Sequence, residues 1–483
     1  MNIASVVRVR EYERAAVDNG ATEYQLMLRA GNGAARIISE VFPARKRTVV
    51  LCGGGNNGGD ALAVAALLGG EVIIYALKAP GELKGAAGCA AKDLPGNIKI
   101  VVTEKLPDDV FQPGDLIVDG LLGIGFSGGK LRESVAGYIR AVNQSRCRVV
   151  ALDVPSGLDC DTGEICDDCI RADLTVTFGA VKKGMLLGKG PAVCGVVRAV
   201  DIGLPVPQED FYAVTFDEAR KLFPRFSADV HKNSRGSLMI AAGSCEYSGA
   251  AALTAVSALR CGAGIVRLAT VGARKNVPYS VIVRDFEDRS GVMPAEIWQE
   301  CTDWLKASSA LAAGPGWGSA APELLAGALD FPGPVVLDAD ALNILSHYTE
   351  LWKKREDVVM TPHPGEAKRL AEAFGVAILP RPEFAAALAE KLGAVILLKG
   401  KFTVVASPDG RCAVVLAGSP ALATAGSGDV LTGIIGALLA MGMPVFDAAV
   451  LGASLHGRAG EIAGYGMIAD DLPGVLKDLL KEL

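Results

Sequence analysis

Apolar residues recur along this chain in two rhythms. Near the start the spacing is helical: Val9, Tyr12, Ala15 and Ala16 share one face, and Tyr24, Leu28 and Ala35 belong to a second helix. Further on, the rhythm changes to short continuous runs of β-branched and aliphatic residues. TVVLCG (48–53), EVIIYAL (71–77), IKIVV (98–102), DLIVDGLL (115–122), RVVALDV (148–154) and LTVTF (174–178) read as strands, with a helix over 61–68 after the first. Runs that do not alternate with polar residues are buried on both faces, which predicts a parallel sheet covered by helices.

The pattern then restarts. Gly203-Leu-Pro-Val-Pro-Gln208, with two prolines and acidic residues after it, reads as a boundary. Beyond it GSLMIAAGS (236–244) precedes a small-residue helix over 249–262. More strands are predicted at GIVRLAT (264–270), ALAAGPG (310–316), PVVLDAD (334–340), DVVMTPH (357–363), AVILLKG (394–400) and TVVAS (403–407). Two α/β domains are expected, 1–210 and 215–483. At roughly 210 and 270 residues, both can bury a full core. No sequence repeat relates them.

Composition agrees. Half of the 483 residues are hydrophobic, only 6% are aromatic and 58 are glycine, a mix suited to α/β proteins. The net charge is -6 and no Lys/Arg block occurs, which argues against nucleic acid and anionic membrane as partners. The first residues lack the charged-then-apolar layout of a signal peptide. The uncharged stretch from Val430 to Phe446 holds three glycines and a proline and reads as a buried helix with its exit turn, not a membrane span. The 11 cysteines, odd in number and scattered, predict reduced thiols and a cytoplasmic protein. Cys160, Cys166 and Cys169 cluster, but a zinc site would want a fourth ligand and usually a second pair.

The most informative stretch is Thr424-Ala-Gly-Ser-Gly-Asp429 with a helical run after it, Val430, Leu431, Ile434, Ile435, Leu438 and Leu439. Gly426, Ser427 and Gly428 then sit at a helix N-terminus with unpaired N–H groups, an anion site suited to phosphate. Asp429 is a carboxylate beside that site. It reads either as a base on the hydroxyl that attacks the phosphate or as an acid complementing the helix dipole.

In the first domain, Gly53-Gly-Gly-Asn-Asn-Gly-Gly-Asp60 follows a strand and precedes a helix, the nucleotide-binding corner of a doubly wound fold. Its two amides and acid supply oxygen ligands suited to a hard monovalent cation or a polar ligand. Asp119 ends a strand ahead of Gly123-Ile-Gly-Phe-Ser-Gly-Gly129, and Asp153 ends another ahead of Pro155-Ser156-Gly157. Ligands of open α/β sheets bind outside such strand ends, and Asp153 is the best acid/base candidate. In the second domain His231-Lys232 stands before a strand, and Ser248-Gly249-Ala250 opens a helix. Gly314-Pro-Gly-Trp-Gly318 and Thr361-Pro-His-Pro-Gly-Glu366 follow strands. The prolines flanking His363 fix its backbone. Lys399-Gly-Lys-Phe-Thr403 offers a lysine, a glycine and a hydroxyl suited to nucleotide phosphates, or an ordinary surface charge.

GGGNNGGD, VDGLLGIG and ALDVPSGLDCDTG resemble the N-terminal, Rossmann-like epimerase domain of NAD(P)H-hydrate repair enzymes. The resemblance implies that Asn56, Asn57, Gly58, Gly59, Asp60, the run Gly123, Ile124, Gly125, Phe126, Ser127, Gly128, Gly129, and Asp153 hold the hydrated nucleotide. It also implies potassium held by Asn57, Asp119 and Ser156. The chain departs from the pattern at Ala61, usually glycine, and at Gly120, usually alanine. DADALN (338–343), TPHPGEAKRL (361–370), KGKFT and ATAGSGDVLTG resemble, in order, the ribokinase-like dehydratase domain of the same system. That implies nucleotide binding by Lys399, Gly400, Lys401, Phe402, Thr403 and Gly428. It implies substrate contacts from Ala250, Gly316, His363 and Asp429. Ser419-Pro-Ala421 stands where the family usually has asparagine-proline-glycine.

The two resemblances cover nearly the whole chain and imply a two-step repair. The first half interconverts the (R) and (S) hydrates of NADH and NADPH. The second removes water from the (S) form at the expense of ADP or ATP, Asp429 deprotonating the ring hydroxyl so that it attacks the terminal phosphoryl. Magnesium is expected at the nucleotide phosphates, and a homo-oligomer is expected. The rival reading is a ribokinase-like small-molecule kinase fused to a nucleotide-binding module, which would leave phosphate on its product instead of releasing it.

Overall fold

The computed structural model describes residues 2–165, 167–205, 211–225, 235–274, 277–286 and 291–482. The chain forms two compact units, Met1–Glu209 and Asp210–Leu483. His231, Lys232 and Cys166, and part of the proline-bearing boundary segment, lie outside the described residues.

The first unit contains β1 (Ile3–Ala4), β2 (Arg47–Cys52), β3 (Glu71–Ala76), β4 (Lys99–Val102), β5 (Asp115–Gly120), β6 (Arg148–Leu152), β7 (Leu174–Phe178), β8 (Val181–Lys182) and β9 (Val196–Val200). Seven of these make one parallel sheet in the order β4-β3-β2-β5-β6-β7-β9. The chain runs outward from β2 to β4 and returns to the other side of β2 at β5. The strand order therefore reverses between β2 and β5, which opens a crevice at their carboxyl ends. One face of the sheet packs Ala34, Ile38, Leu62 and Val118, the other Leu51, Ile117, Tyr138 and Ile139. β1 and β8 pair separately, with Ile3 opposite Val181. The helix Glu23–Val41 buries Leu26, Met27, Ala30, Ala34, Ala35 and Ile38; Tyr24 packs against this core from its margin, and Leu28 is only partly buried.

The helix after β2 begins at Asn56, not at residue 61. Gly58 and Gly59 lie inside its first turns because the packing there has no room for a side chain. A Cβ on Gly58 would run into the Gly53 carbonyl, and one on Gly59 would come within 2.8 Å of the Ala87 backbone.

The second unit contains β10 (Phe211–Val214), β11 (Ser237–Ala241), β12 (Ile265–Thr270), β13 (Ile282–Asp285), β14 (Ala310–Ala313), β15 (Val335–Leu337), β16 (Val358–Met360), β17 (Val395–Leu398), β18 (Thr403–Ala406) and β19 (Cys412–Val415). They form one sheet in the order β10-β19-β18-β17-β16-β15-β14-β11-β12-β13. All neighbours are parallel except along β17-β18-β19. β10 pairs with β19, so this unit starts ahead of residue 215. Strand order reverses between β11 and β14. The helix Ser427–Ala440 is buried from Val430 to Ala440 and packs over the sheet. No helix among the described residues is long and apolar enough to cross a membrane.

Candidate active sites

In the first unit, the loops after β2, β5 and β6 line one cavity of about 1080 Å³ together with the helix Val6–Asp18. Asn56, Asn57, Asp60, Gly123, Ile124, Gly125, Phe126 and Asp153 face it. Gly58 and Gly59 serve the packing behind it, and Ser127, Gly128 and Gly129 do not line it. The first helical bond runs from the Gly59 N–H to the Gly55 carbonyl, so the N–H groups of Asn56, Asn57 and Gly58 precede it at the helix start. Arg10, Arg14, Lys78, Lys130 and Arg132 line the cavity together with Glu13, Glu23 and Glu104, so its charge is mixed.

Asn57, Asp119 and Ser156 come together beneath this loop. The Ser156 hydroxyl donates to Asp119 Oδ1 at 2.6 Å and accepts from the Leu122 N–H at 2.9 Å. The Ser156 N–H donates to Asp119 Oδ2 at 2.9 Å. Burial raises the Asp119 carboxyl to about 6 against these hydrogen bonds. Asn57 donates its amide N–H to the Leu122 carbonyl at 2.7 Å, while its Oδ1 is buried without a partner. A buried carbonyl oxygen left without a donor, beside a buried carboxylate, fits a hard cation.

Asp153 follows β6 with φ of 62°, a left-handed conformation rare for a residue with a side chain. Its Oδ1 is ion-paired with Lys182, a lysine only 1% exposed. The same ammonium donates to Thr177 Oγ1 at 3.1 Å and to the Phe178 carbonyl at 2.9 Å. Lys182 escaped the sequence reading: one lysine in an apolar strand-like run before another lysine looks like an edge residue.

In the second unit, the helix Ser427–Ala440 starts at Gly426, whose φ is 86°. The Val430 N–H closes the first helical bond on the Gly426 carbonyl, and the Ser427 N–H turns back to the Thr424 carbonyl at 3.4 Å. The N–H groups of Gly428 and Asp429 lead the helix. Lys399 reaches this turn: a Cβ on Gly428 would sit 3.2 Å from Lys399 Nζ. Lys399 is ion-paired at 2.6 Å with Asp338, whose other oxygen accepts from Thr432 at 2.8 Å. Asp338, at the end of β15, is a site residue the sequence reading used only as part of a pattern. Ala339, between Asp338 and Asp340, has φ of 48°. Among the described residues Asp429 has no ion-pair partner of its own. Burial first, and then the Asp338 carboxylate, push its carboxyl up to about 7, Lys399 opposing and Asp340 adding to the rise.

Ala250 and Gly316 meet at the β11/β14 reversal: a Cβ on Gly316 would lie 3.0 Å from that of Ala250. Asp340 accepts from the Gly318 N–H at 2.9 Å and ties this loop to β15. His363 caps the helix Pro364–Phe374. Its Nδ1 accepts from the Gly365 N–H at 2.9 Å and the Glu366 N–H at 3.4 Å. The rigidity read from its flanking prolines thus has a local purpose; the ring's Nε2 lies 3.4 Å from Glu366 Oε1, and the ring is half exposed. Burial and the charges of Lys399 and Arg369 lower its pKa, so the ring is neutral near pH 7. The turn Lys399–Thr403 is stapled by Arg381, which donates to the carbonyls of Leu398, Lys399 and Phe402. Phe402 is buried, with Lys401 over its ring. Ser419 caps its own turn, accepting from the Ala421 N–H at 3.2 Å.

Cys160 and Cys169 are buried, free thiols, and burial raises both.

The family described as YjeF-related protein N-terminus matches residues 23–184, and that described as NAD(P)H-hydrate dehydratase matches residues 238–478. The chain is similar to the bifunctional NAD(P)H-hydrate repair enzyme of Coxiella burnetii, at 37% identity over 96% of each chain. It is similar also to that of Escherichia coli, at 36% identity over 98% of this chain and 92% of the other. A ribokinase-like superfamily protein from Enterococcus faecalis superposes with a TM-score of 0.50 at 22% identity. It covers 57% of this chain and 98% of its own, a likeness of fold.

Proposed function

The chain belongs to the bifunctional NAD(P)H-hydrate repair enzymes, and from that premise we propose how its two units divide the work. The protein is an enzyme that restores hydrated NADH and NADPH. The first unit interconverts the (R) and (S) hydrates at the cavity holding Asp153. The second dehydrates the (S) form with ADP or ATP and releases phosphate. The observation that carries the second assignment is Asp429, an acid pushed up to about 7 on the first turn of a helix whose leading N–H groups suit phosphate.

Hydroxide is a poor leaving group and phosphate a good one. Asp429 takes the proton of the ring hydroxyl as its oxygen attacks the terminal phosphoryl. The Gly428 N–H and Lys399 hold the phosphoryl oxygens, with Gly400 to Thr403 along the nucleotide. Ala250, Gly316 and the outward edge of His363 position the hydrated ring. Elimination of phosphate then restores the dihydronicotinamide. Magnesium, when bound, supplies charge neutralisation between nucleotide phosphates. Asp338 and Asp340 already accept protein donors, which favours a metal held mainly by phosphate oxygens and water. Potassium in the first unit would be held by Asn57 Oδ1, Asp119 and Ser156, the unpartnered Asn57 oxygen being the support for that assignment. Asn56, Asn57, Asp60, the loop from Gly123 to Gly129 and Asp153 would bind the hydrate. We place the enzyme in the cytoplasm, as a homo-oligomer.

The test is incubation of mixed hydrate epimers of NADH with the protein, potassium, magnesium and ADP or ATP. Dihydronicotinamide absorbance recovers completely, with one equivalent of free phosphate. Recovery that stops at the (S) share removes the epimerase assignment. Phosphate attached covalently to the product replaces the dehydratase with the kinase reading. Asp119→Ala reduces the potassium response of epimerisation and spares dehydration; an unchanged response removes the cation assignment.

A further inference from the structure

We propose that Asp60 and Asp153 are an acid–base pair that inverts the hydroxyl-bearing carbon by opening and reclosing the ring, with Lys182 as the positioning residue behind Asp153. The inference rests on the epimerase reading of this cavity and assigns the chemistry within it.

Asp60 and Asp153 both line the cavity, the first from the helix after β2 and the second from the end of β6. Their surroundings differ. Among the described residues no hydrogen bond or ion pair engages the Asp60 carboxyl. Asp153 Oδ1 takes every donor directed at that residue: the Lys182 ammonium, the Phe178 N–H at 3.4 Å and the Thr177 hydroxyl at 3.5 Å. Among the described residues no donor is directed at its Oδ2. Lys182 spends three contacts on Asp153, Thr177 and Phe178, so it has no N–H left for a substrate. Among the described residues the pair is thus one carboxyl without a partner and one carboxylate anchored at one oxygen only, both on the cavity wall.

The charged groups facing Asp60 are Asp153, Glu13 and Lys182. Burial, then Asp153 and Glu13, raise Asp60 well above the usual carboxylate range, with Lys182 opposing. Glu13 is itself raised by burial and by Asp153, and Lys182, Glu23 and Arg10 also act on it. A carboxyl without a partner and a carboxylate held by a buried ammonium divide naturally into proton donor and proton acceptor.

The substrate chemistry needs one of each. Water adds to a dihydronicotinamide at the enamine double bond, so the hydroxyl sits on the carbon beside the ring nitrogen. Inversion there requires a bond to that carbon to break. Asp153 Oδ2 takes the hydroxyl proton, and the freed pair forms the C=O bond. The C–N bond breaks with its pair going to nitrogen, where Asp60 delivers its proton. The product is an open-chain aldehyde. Rotation about the bond to the aldehyde carbon presents its other face. The nitrogen attacks, Asp60 recovers the N–H proton and Asp153 returns its proton to the oxygen. Both carboxyls end as they began, and no oxidant, reductant or water is consumed.

The test uses the full-length protein. Asp60→Asn keeps the size and loses the transferable proton. Epimerisation kcat falls by a factor on the order of 10² to 10⁴ with KM within a few-fold, while dehydration of pure (S) hydrate is unchanged. Wild-type kcat declines on the alkaline side, as Asp60 loses its proton, and Asp60→Glu restores part of the rate. In ¹⁸O-labelled water the wild-type enzyme inverts the carbon without exchanging the hydroxyl oxygen. Epimerisation within twofold of wild type in Asp60→Asn overturns the pair. So does the lack of an alkaline decline, or label entering the hydroxyl at the rate of inversion; both are read on the wild-type protein whatever the fold of the variant. A wild-type protein that fails to interconvert the epimers defeats the epimerase reading itself.

Discussion

The two units build their sites alike and charge them oppositely. Each uses loops at the carboxyl ends of parallel strands near a reversal of strand order. Each has a strained non-glycine residue there, Asp153 after β6 and Ala339 after β15. Each has a lysine beside carboxylates. In the first unit the lysine is paired with the candidate base: Lys182 holds Asp153. In the second it is paired with a different acid: Lys399 holds Asp338, and Asp429 is left to titrate near 7. The partner chosen by the lysine therefore decides which carboxyl is anchored and which is poised. Neither choice follows from the fold.

The largest effect that sharpens this contrast is expected at Asp429. Asp429→Asn lowers dehydration by a factor on the order of 10² to 10⁴ and leaves epimerisation alone. In the wild type, kcat/KM for dehydration rises with pH through about 7, because the base must be ionised. The stability effect has the opposite sign to the loss of a helix cap. The folded carboxyl binds its proton more tightly than the unfolded one, so its ionisation costs stability that grows as pH rises from about 4 to about 7. Asn removes that cost, and the variant gains about 1–3 kcal/mol above pH 7, fading toward pH 4. A variant with wild-type turnover and a lowered thermal midpoint at pH 8 means that Asp429 is a helix cap only.

The next effect separates the two lysines. Lys182 is 1% exposed and Lys399 22%. Lys182→Met strands a buried carboxylate, and thermal or denaturant unfolding shows a loss of about 3 kcal/mol, with epimerisation lost in step and dehydration retained. Lys399→Met also strands a buried carboxylate, because Asp338 is only 1% exposed, so its stability loss is of the same order, but it falls on nucleotide binding and dehydration and spares epimerisation. Lys399→Met with normal nucleotide binding and dehydration, or Lys182→Met with normal epimerisation, erases the contrast.

Much of this arrangement was legible in the sequence, and the gaps have physical causes. The central strands declared themselves because both faces are buried, as at Val49–Cys52 and Val335–Leu337. β9, β10 and β13 did not, lying at sheet edges with partly exposed residues, and neither did the short buried β19. The glycine loops marked the strand ends, and the structure adds a packing reason for two of the glycines, since neither Gly58 nor Gly59 has room for a Cβ. The acids Asp119, Asp153 and Asp429 were found because they interrupt apolar or glycine-rich runs. Their partners were hidden. Lys182 lies 29 residues from Asp153, and Lys399 lies 61 from Asp338. No local pattern reports pairs so far apart.

The smallest effect tests whether the chain's two departures from the family pattern in the first unit are one event. Ala61 stands where glycine is usual and Gly120 where alanine is usual. In the structure the two positions touch: a Cβ on Gly120 would run into the Ala61 Cβ. Against that pattern, the one methyl at the contact between the helix Asn56–Leu67 and the end of β5 sits on the helix instead of the strand. Gly120→Ala alone puts two methyls in that space and is expected to cost about 1–3 kcal/mol by overpacking. Ala61→Gly alone removes a buried methyl and places glycine inside a helix, a loss of about 1 kcal/mol or somewhat more. The double variant is expected to be more stable than the sum of the two losses predicts, by about 1–2 kcal/mol. Recovery stays incomplete, because the Asn57 carbonyl also lies 2.9 Å from the new Cβ and must give way. That carbonyl belongs to a candidate potassium ligand, so the single Gly120→Ala variant should also need more potassium for half-maximal epimerisation. Strict additivity of the two stability losses in denaturant unfolding means that the exchange is two unrelated substitutions.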